Sequence, residues 1–281
     1  FTKASQELFV SQPAITKHIQ ELEAAYQTRL FDRQGSRISL TESGNLLLEH
    51  CERILEDYKR LEYEMHLLHN EYTGGLKLGA STTIAQYVLP PLLASFIGKF
   101  PQVSLSLLNG NSREIEAALQ EHRIDLGFVE GVFRLPNIRY TTFLEDELVA
   151  VVRTGSKLAV GEEITPDELF HLPLVLRERG SGTLDVFERA LQQHNIKLSS
   201  LQVLMYLGST ESIKLFLEHT DCLGIVSVRS ITRELYSGQL RVVEIKGMPM
   251  LRDFSFAQPQ GQESGLAQVF MQFAMHNNHK L

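Results

Sequence analysis

The sequence contains few of the residues that cross-link a chain or anchor it in a membrane. Among its 281 residues there are two cysteines, Cys51 and Cys222, and no tryptophan. Cysteines so far apart match neither a disulfide framework nor a metal-binding motif. No apolar run reaches the roughly 20 residues that a membrane-spanning helix needs, and no secretion signal is recognisable. These absences predict a cytoplasmic protein of a reducing compartment, without a membrane partner.

Signatures of catalysis are missing as well. The Gly-Ser-Gly of residues 180–182 lacks the spacing of a serine nucleophile elbow. The sequence has no phosphate-binding loop and no histidine pair at metal-ligand spacing. It therefore predicts no catalytic residue, no bound metal and no cofactor, and an enzyme is disfavoured.

An overall excess of positive charge is also absent, because the formal net charge is −7. The charge is unevenly distributed: residues 1–40 carry +1, residues 41–72 carry −5 and the rest carry −3. A local basic face in the first 40 residues can still bind DNA while the acidic residues lie elsewhere. Net charge therefore does not exclude a DNA-binding function.

What the first 40 residues do contain is a pattern of two short helices. Residues 2–8 are predicted to form one helix and residues 11–23 a second, with a turn between them. Ser11 is a suitable N-cap for the second helix. Pro13 is tolerated in the first turn, because its missing N–H has no intrahelical partner there.

The second helix has an inward and an outward face. Ile15, Ile19 and Leu22 are predicted to point inward. Amide, hydroxyl and lysine groups suit base edges and phosphates in a DNA major groove. The outward residues are Gln12, Pro13, Thr16, Lys17 and Gln20. Taken alone, this pattern fits an ordinary helical hairpin equally well.

A single long helix is predicted to follow. Thr41 is a suitable N-cap, and Glu42 places negative charge where the helix dipole favours it. The predicted end is Thr73-Gly74-Gly75. Spacings that alternate between four and three predict a heptad seam, formed by Leu47, Cys51, Ile54, Tyr58, Leu61, Met65 and Leu68.

We expect this seam to pair two chains into a homodimer through residues 41–72. No other long apolar helix lies nearby in the sequence to cover it. The alternative is an amphipathic helix that packs on its own domain.

The remaining residues alternate between strand and helix patterns, which predicts doubly wound α/β sheets. Two such sets predict two lobes with a cleft between them. Lobe I is predicted at about 75–147 and 254–281, and lobe II at about 148–253. The predicted strands are residues 76–80, 103–108, 125–130, 147–153, 174–176, 203–207 and 223–227, and the clearest helices are residues 112–121, 183–194 and 211–219.

Several predicted helices in this region begin with hydroxyl or amide side chains. In open α/β sheets, ligands bind beyond the carboxyl ends of strands, where helix N-termini present free N–H groups. Such sites suit a small anion, although serine and threonine also serve as ordinary N-caps. The candidate ligand-binding residues are Ser81, Thr82, Thr83, Asn109, Glu130, Gly131, Arg177, Ser181, Thr183, Ser209 and Thr210.

Four segments in order resemble the winged helix-turn-helix of LysR-type transcriptional regulators. They are residues 11–19, Leu22-Glu23, residues 30–33 and residues 40–44. Residues 26–28, Tyr-Gln-Thr, depart from the family pattern, and residues 1–5 resemble the family's second helix, which implies that a first helix is absent. By this resemblance Gln12, Pro13, Thr16 and Lys17 face bases, while Ser11 and Arg33 contact the backbone or minor groove. An exposed wing residue without a specific contact is the alternative for Arg33.

The second half is similar to LysR-type effector domains of the branch with sulfur-assimilation and carbon-fixation regulators. Residues 79–84, 125–131 and 177–183 carry this resemblance. It implies a two-lobed periplasmic-binding-protein-like (type II) effector domain with a small anion or phosphorylated metabolite between its lobes. It also implies a homotetramer whose partners are double-stranded DNA and RNA polymerase.

The expected architecture is thus an all-α winged helix-turn-helix at residues 1–40, a linker helix at 41–72 and an α/β effector domain at 73–281. The rival interpretation is a small-anion solute-binding protein without a DNA function, since such proteins share the two-lobed fold. The DNA-binding pattern of the first 40 residues counts against it.

Overall fold

The computed structural model describes residues 4–5, 10–34, 37–69, 72–131, 134–158, 161–260 and 265–277. The chain divides into two compact units, residues 1–70 and 71–281. Across the part of the chain that the structure describes, no helix combines the length and apolar character needed to cross a membrane.

The first unit contains the predicted capped helix. Helix α1 spans Gln12–Tyr26, and the Ser11 hydroxyl accepts a hydrogen bond from the Ala14 N–H at 3.4 Å. Both the helix and its cap are therefore confirmed. Of the helix predicted at residues 2–8, residues 4 and 5 are helical and the others lie outside the described residues.

A two-stranded antiparallel hairpin follows, formed by β1 (Phe31–Gln34) and β2 (Arg37–Leu40). The Glu23 carboxylate accepts from the Leu30 N–H at 2.9 Å and so ties α1 to the hairpin. Gly44 is required near this point, because a Cβ there would lie 2.1 Å from the Leu30 carbonyl oxygen. Local contacts thus fix the position of the hairpin against the helix.

Helix α2 spans Glu42–His69. Thr41 caps its start, because the Thr41 hydroxyl accepts a hydrogen bond from the Gly44 N–H at 3.0 Å. The predicted cap is confirmed. Residues 72 and 73 are not helical, so the helix has ended before the predicted Thr73-Gly74-Gly75. Gly74 and Gly75 begin strand β3 (Gly74–Ser81), in which extended pairing with the neighbouring strand takes up their backbone groups.

The second unit holds the α/β elements. The strands are β3 (Gly74–Ser81), β4 (Val103–Gly110), β5 (Leu126–Glu130), β6 (Ile138–Arg153), β7 (Glu163–Ile164), β8 (Leu174–Arg177), β9 (Val203–Leu207), β10 (Leu223–Ser227), β11 (Leu240–Ile245) and β12 (Leu251–Pro259). Their order in the sheet is β4-β3-β5-β12-β6-β10-β8-β9, with β11 paired to β6 and β7. The α-helices are α3 (Leu89–Lys99), α4 (Ser112–Gln120), α5 (Gly182–Gln193), α6 (Thr210–His219), α7 (Thr232–Tyr236) and α8 (Gly265–Asn277).

Strand β6 runs through both lobes. Its first part, up to Glu147, pairs with β12, and its second part pairs with β10 and β11. The strand predicted at residues 147–153 was therefore too short. The run of buried apolar residues that signals a strand is confined to its second half, whereas the first half alternates with exposed polar residues. The two lobes consequently share one continuous strand.

Phenylalanine rings fill the core of lobe I, in a chain without tryptophan. Phe256 is fully buried, and its ring centroid lies 4.6 Å from that of Phe143 and 5.3 Å from that of Phe128. Phe128 in turn contacts Phe270 of α8 at 5.9 Å. These contacts join β5, β6, β12 and α8 in one core.

Truncation of this core has a large expected cost. Phe256→Ala should lower the free energy of unfolding by roughly 3–5 kcal/mol, because it removes a buried ring and leaves a cavity. The matched control is Phe170→Ala, at a ring that is 38% exposed, for which we expect a loss below about 1 kcal/mol. Urea unfolding followed by circular dichroism measures both, and equal losses would contradict the assignment of the core.

Candidate functional site

The outward face of α1 carries the residues predicted to contact DNA. Gln12, Pro13 and Lys17 are exposed, and Ser11 is exposed next to them while it caps the helix. The Thr16 hydroxyl donates to the Gln12 carbonyl at 3.1 Å. All five side chains therefore lie within the first two turns of one helix.

The ion pair of Lys17 is weak enough to be exchanged for another partner. Its Nζ lies 3.7 Å from a Glu21 carboxylate oxygen, and the two side chains are 75% and 58% exposed. Exposed pairs of this kind contribute little to stability. Lys17 can therefore turn to a phosphate at low cost.

The other predictions in this unit have different outcomes. Leu22, predicted to point inward, is 39% exposed, so that prediction is wrong. Ile15, also predicted to point inward, is the one buried side chain of α1. Arg33 lies on β1 opposite Ile38, and its side chain is outside the described part.

In the second unit, Thr82 and Arg177 link the two lobes. The Arg177 guanidinium is 1% exposed and donates from Nη2 to Thr82 Oγ1 at 3.0 Å and to the Gly208 carbonyl at 3.3 Å. Its Nε donates to Glu178 at 2.8 Å. Arg177 Nη1 and the neighbouring Thr83 Oγ1 are buried and have no partner among the described residues.

A second set of contacts lies beside the first. The Ser81 hydroxyl donates to the Glu130 carboxylate. Glu130 also lies 3.4 Å from Arg252 Nη1, which donates to Thr183 Oγ1 at 3.0 Å. Arg252 Nε donates to Asp146 at 2.7 Å. Buried charges are therefore paired with one another and with hydroxyl groups, as low polarity requires.

These contacts close into a ring, because Ser81 adjoins Thr82, and Arg177 and Thr183 belong to one segment. We call it the cleft ring, formed by Ser81, Thr82, Glu130, Arg177, Thr183 and Arg252. The lobes approach closely here, since a Cβ on Gly182 would lie 2.2 Å from the Glu130 carbonyl oxygen. The Arg113 N–H also donates across the lobes to the Gly180 carbonyl at 3.3 Å.

The remaining candidate residues take other positions. The hydroxyls of Ser181 and Ser209 cap α5 and α6, accepting from Leu184 and Ser212 N–H groups. Thr210 is buried beside Gly208, Gly131 has a φ of +128° next to Gly182, and Asn109 is exposed at the end of β4. The structure thus gathers five of the predicted residues into the ring.

Sequence reasoning missed Arg252 and Asp146, which are 106 residues apart in the sequence and lie opposite each other where β12 pairs with β6. It also missed a further contact between the lobes. Tyr87, in a π-helical turn at Ile84–Val88, donates its hydroxyl to Glu211 of lobe II. Burial, followed by this hydrogen bond, raises the pKa of Tyr87 above the ordinary tyrosine value, so the hydroxyl remains a donor.

Lys214 supports the same contact. It is 4% exposed, lies 2.7 Å from Glu211 and 2.8 Å from Glu234, and its Nζ is 5.2 Å from the centre of the Tyr87 aromatic ring.

A groove of about 430 Å³ opens beside the cleft ring, and Arg252 lines the groove as well as belonging to the cleft ring. Where the chain is described, no three histidine, cysteine, aspartate or glutamate side chains are placed to hold a metal ion.

The Tyr87 contact can be tested by removing the phenolic hydroxyl group. Tyr87→Phe should lower the free energy of unfolding by roughly 1–2 kcal/mol, because a hydrogen bond to a carboxylate is lost. Tyr236→Phe, at a side chain that is 90% exposed at the end of α7, is the control and should have no measurable effect. If urea unfolding gives equal values for both variants, Tyr87 does not hold the lobes together.

Two protein-family models match the chain. The model described as "Bacterial regulatory helix-turn-helix protein, lysR family" matches residues 1–45. The model described as "LysR substrate binding domain" matches residues 69–278.

Individual proteins give the same result. The chain is 35% identical over 244 residues to the "Uncharacterized HTH-type transcriptional regulator YeiE" of Escherichia coli K12, covering 87% of this chain and 80% of that one. It is 31% identical over 276 residues to a "Probable RuBisCO transcriptional regulator" of Cyanidioschyzon merolae, covering 97% and 91%. The Synechocystis CcmR regulatory domain, solved "in complex with 2-PG", is similar with a TM-score of 0.66 and 28% identity, covering 73% of this chain and 97% of that one.

Proposed function

Because the chain belongs to the LysR family of DNA-binding transcriptional regulators with an effector-binding domain, we propose that α1 reads DNA and that a small anion between the lobes controls it. The resemblance found in the sequence motifs, including the carbon-fixation branch, is thereby confirmed. The observation that carries the proposed control is the cleft ring, which joins the two lobes through buried, charged side chains.

The outward face of α1 supports the role in DNA binding. Gln12 and Lys17 offer groups for base edges and phosphates, and Thr16 and Pro13 offer apolar contacts to thymine. Ser11 and Arg33 are assigned to the DNA backbone or minor groove. A paired assembly would place two such helices on a partly palindromic site.

Lys17 provides the test of this interface. We expect Lys17→Ala to weaken binding to a duplex selected from genomic fragments and to reduce the slope of log K against log salt by about 1, as for one phosphate contact. Fluorescence anisotropy at several salt concentrations measures both quantities. Lys246→Ala is the matched control, because Lys246 forms a similarly exposed pair with Glu163 at 3.5 Å in the second unit. An unchanged slope for Lys17→Ala would remove this residue from the DNA contacts.

The effector site is assigned to the cleft ring and the neighbouring helix starts. Arg177 Nη1, Arg252 Nη2 and Thr83 Oγ1 are buried without a partner in the described part of the chain. Buried donors of this kind are costly unless they are satisfied, and an anion supplies acceptors to them. An anion that binds one arrangement of the lobes more tightly shifts the population toward that arrangement. We propose that this alters DNA bending and contact with RNA polymerase.

The seam on α2 supports pairing of two chains. Ile54, Tyr58, Leu61 and Met65 are 48–65% exposed in the single chain. Continuous apolar exposure of this size indicates an interface. We assign the homodimer to residues 41–72.

A charged residue introduced on the seam should dissociate the homodimer. Leu61→Asp would bury an unpaired carboxylate, which costs several kcal/mol, so we expect sedimentation equilibrium to show loss of one association step. Leu55→Asp is the control: Leu55 is 58% exposed but lies off the seam, and Leu61 is 55% exposed on it. Equal effects of the two variants, or a monomeric unmodified chain at micromolar concentration, would contradict the assignment.

We propose that a tetramer forms through the edge strands of the sheet in the second unit. Strands β4 and β9 end the sheet, and exposed apolar edge strands favour pairing with another chain. The exposed side chains are Leu107, Leu108, Leu204, Met205 and Tyr206.

A transcriptional regulator acts where the chromosome lies, so we place this protein in the cytoplasm. We favour a transcriptional regulator over a solute-binding protein or an enzyme because of the DNA-binding unit.

A further inference from the structure

Glu130 occupies an unusual position for an anion site. It is 3% exposed at the end of β5, where its carboxylate accepts from Ser81 and lies 3.4 Å from Arg252. Ser81 is the direct neighbour of Thr82, which receives the hydrogen bond of Arg177. A negatively charged group therefore lies next to the groups assigned to the anionic effector.

The other nearby carboxylates do not share this role. Asp146 already accepts from Ser227 and Arg252, each at 2.7 Å. Glu178 bonds to Arg177 but is 27% exposed, so solvent screens its charge. Glu130 is the buried carboxylate of the ring itself. Among the described residues its one hydroxyl partner is Ser81, which an incoming donor can replace.

A carboxylate accepts hydrogen bonds and donates none. We infer that Glu130 restricts the effector to anions that also carry a donor hydrogen. Such a hydrogen belongs either to a partly protonated oxyanion or to a hydroxyl or ammonium group next to the anionic group. In the bound state this hydrogen replaces that of Ser81 on Glu130. A fully deprotonated oxyanion instead brings its negative charge and lone pairs against the carboxylate with no hydrogen between them, so the two groups repel each other.

This inference rests on the proposed binding of an anion between the lobes. Phosphate and sulfate provide the sharpest comparison, because both are tetrahedral and only phosphate carries a proton at pH 7. We expect isothermal titration calorimetry on the full chain to show phosphate binding roughly tenfold or more tightly than sulfate, as expected for a site whose buried polar group must be paired. A second arm compares ethanesulfonate with 2-hydroxyethanesulfonate and taurine. A preference for phosphate in the first arm places the donor hydrogen on the oxyanion itself. A preference for 2-hydroxyethanesulfonate or taurine in the second arm places the donor hydrogen on a hydroxyl or ammonium group near the anionic group.

Glu130→Gln converts the acceptor into a group that can also donate. We expect it to raise affinity for the donor-free anions and to reduce the preference to within about twofold. Glu178→Gln is the control for charge, because it removes a carboxylate beside Arg177 and should strengthen both members of each pair equally. The comparisons on the unmodified chain stand even if Glu130→Gln does not fold.

The outcomes separate the inference from the function on which it rests. Equal affinity of the unmodified chain for donor-bearing and donor-free anions in both arms overturns the role of Glu130 while leaving anion binding in place. Retention of the preference by a folded Glu130→Gln variant also overturns it. Failure of every anion to bind overturns the proposed anion site and this inference together.

Discussion

A buried guanidinium must have hydrogen-bond acceptors around it, and the closed arrangement of the two lobes depends on how Arg177 meets this requirement. Lobe II alone supplies Glu178 and the Gly208 carbonyl, and lobe I supplies Thr82 at 3.0 Å. Separation of the lobes would therefore break a charged hydrogen bond and admit water to a site from which it is excluded. Charge-assisted bonds of this kind are about twice as strong as neutral ones.

The same constraint explains the polar contacts that join the lobes along the cleft. Each lobe has its own core: phenylalanine rings in lobe I, and two mainly aliphatic clusters flanking the sheet of lobe II. Strand β6 connects these cores covalently. The relative position of the lobes can then change without disturbing either core. A ligand that offers the ring different hydrogen-bond partners consequently shifts the balance between arrangements.

The sequence predicted features that depend on neighbours a few residues away. The caps at Ser11 and Thr41 and the helix starts in the α/β region belong to this group, because capping involves residues within one turn. The position of Arg252 could not be predicted, because it depends on a strand that returns 106 residues after Asp146. Burial of Leu22 was wrongly predicted, since periodicity identifies a face of a helix but not whether another element covers it. Five of the candidate ligand residues meet in the ring because the carboxyl ends of parallel strands share one edge of the sheet.

The central claim is that Thr82 and Arg177 hold the lobes together through a direct, buried interaction. A double-mutant cycle with Thr82→Val and Arg177→Met, measured by urea unfolding of the full chain, isolates this pair from the other contacts of Arg177. The account predicts a coupling free energy of roughly 1–3 kcal/mol. Effects of the two substitutions that add within about 0.5 kcal/mol would contradict it.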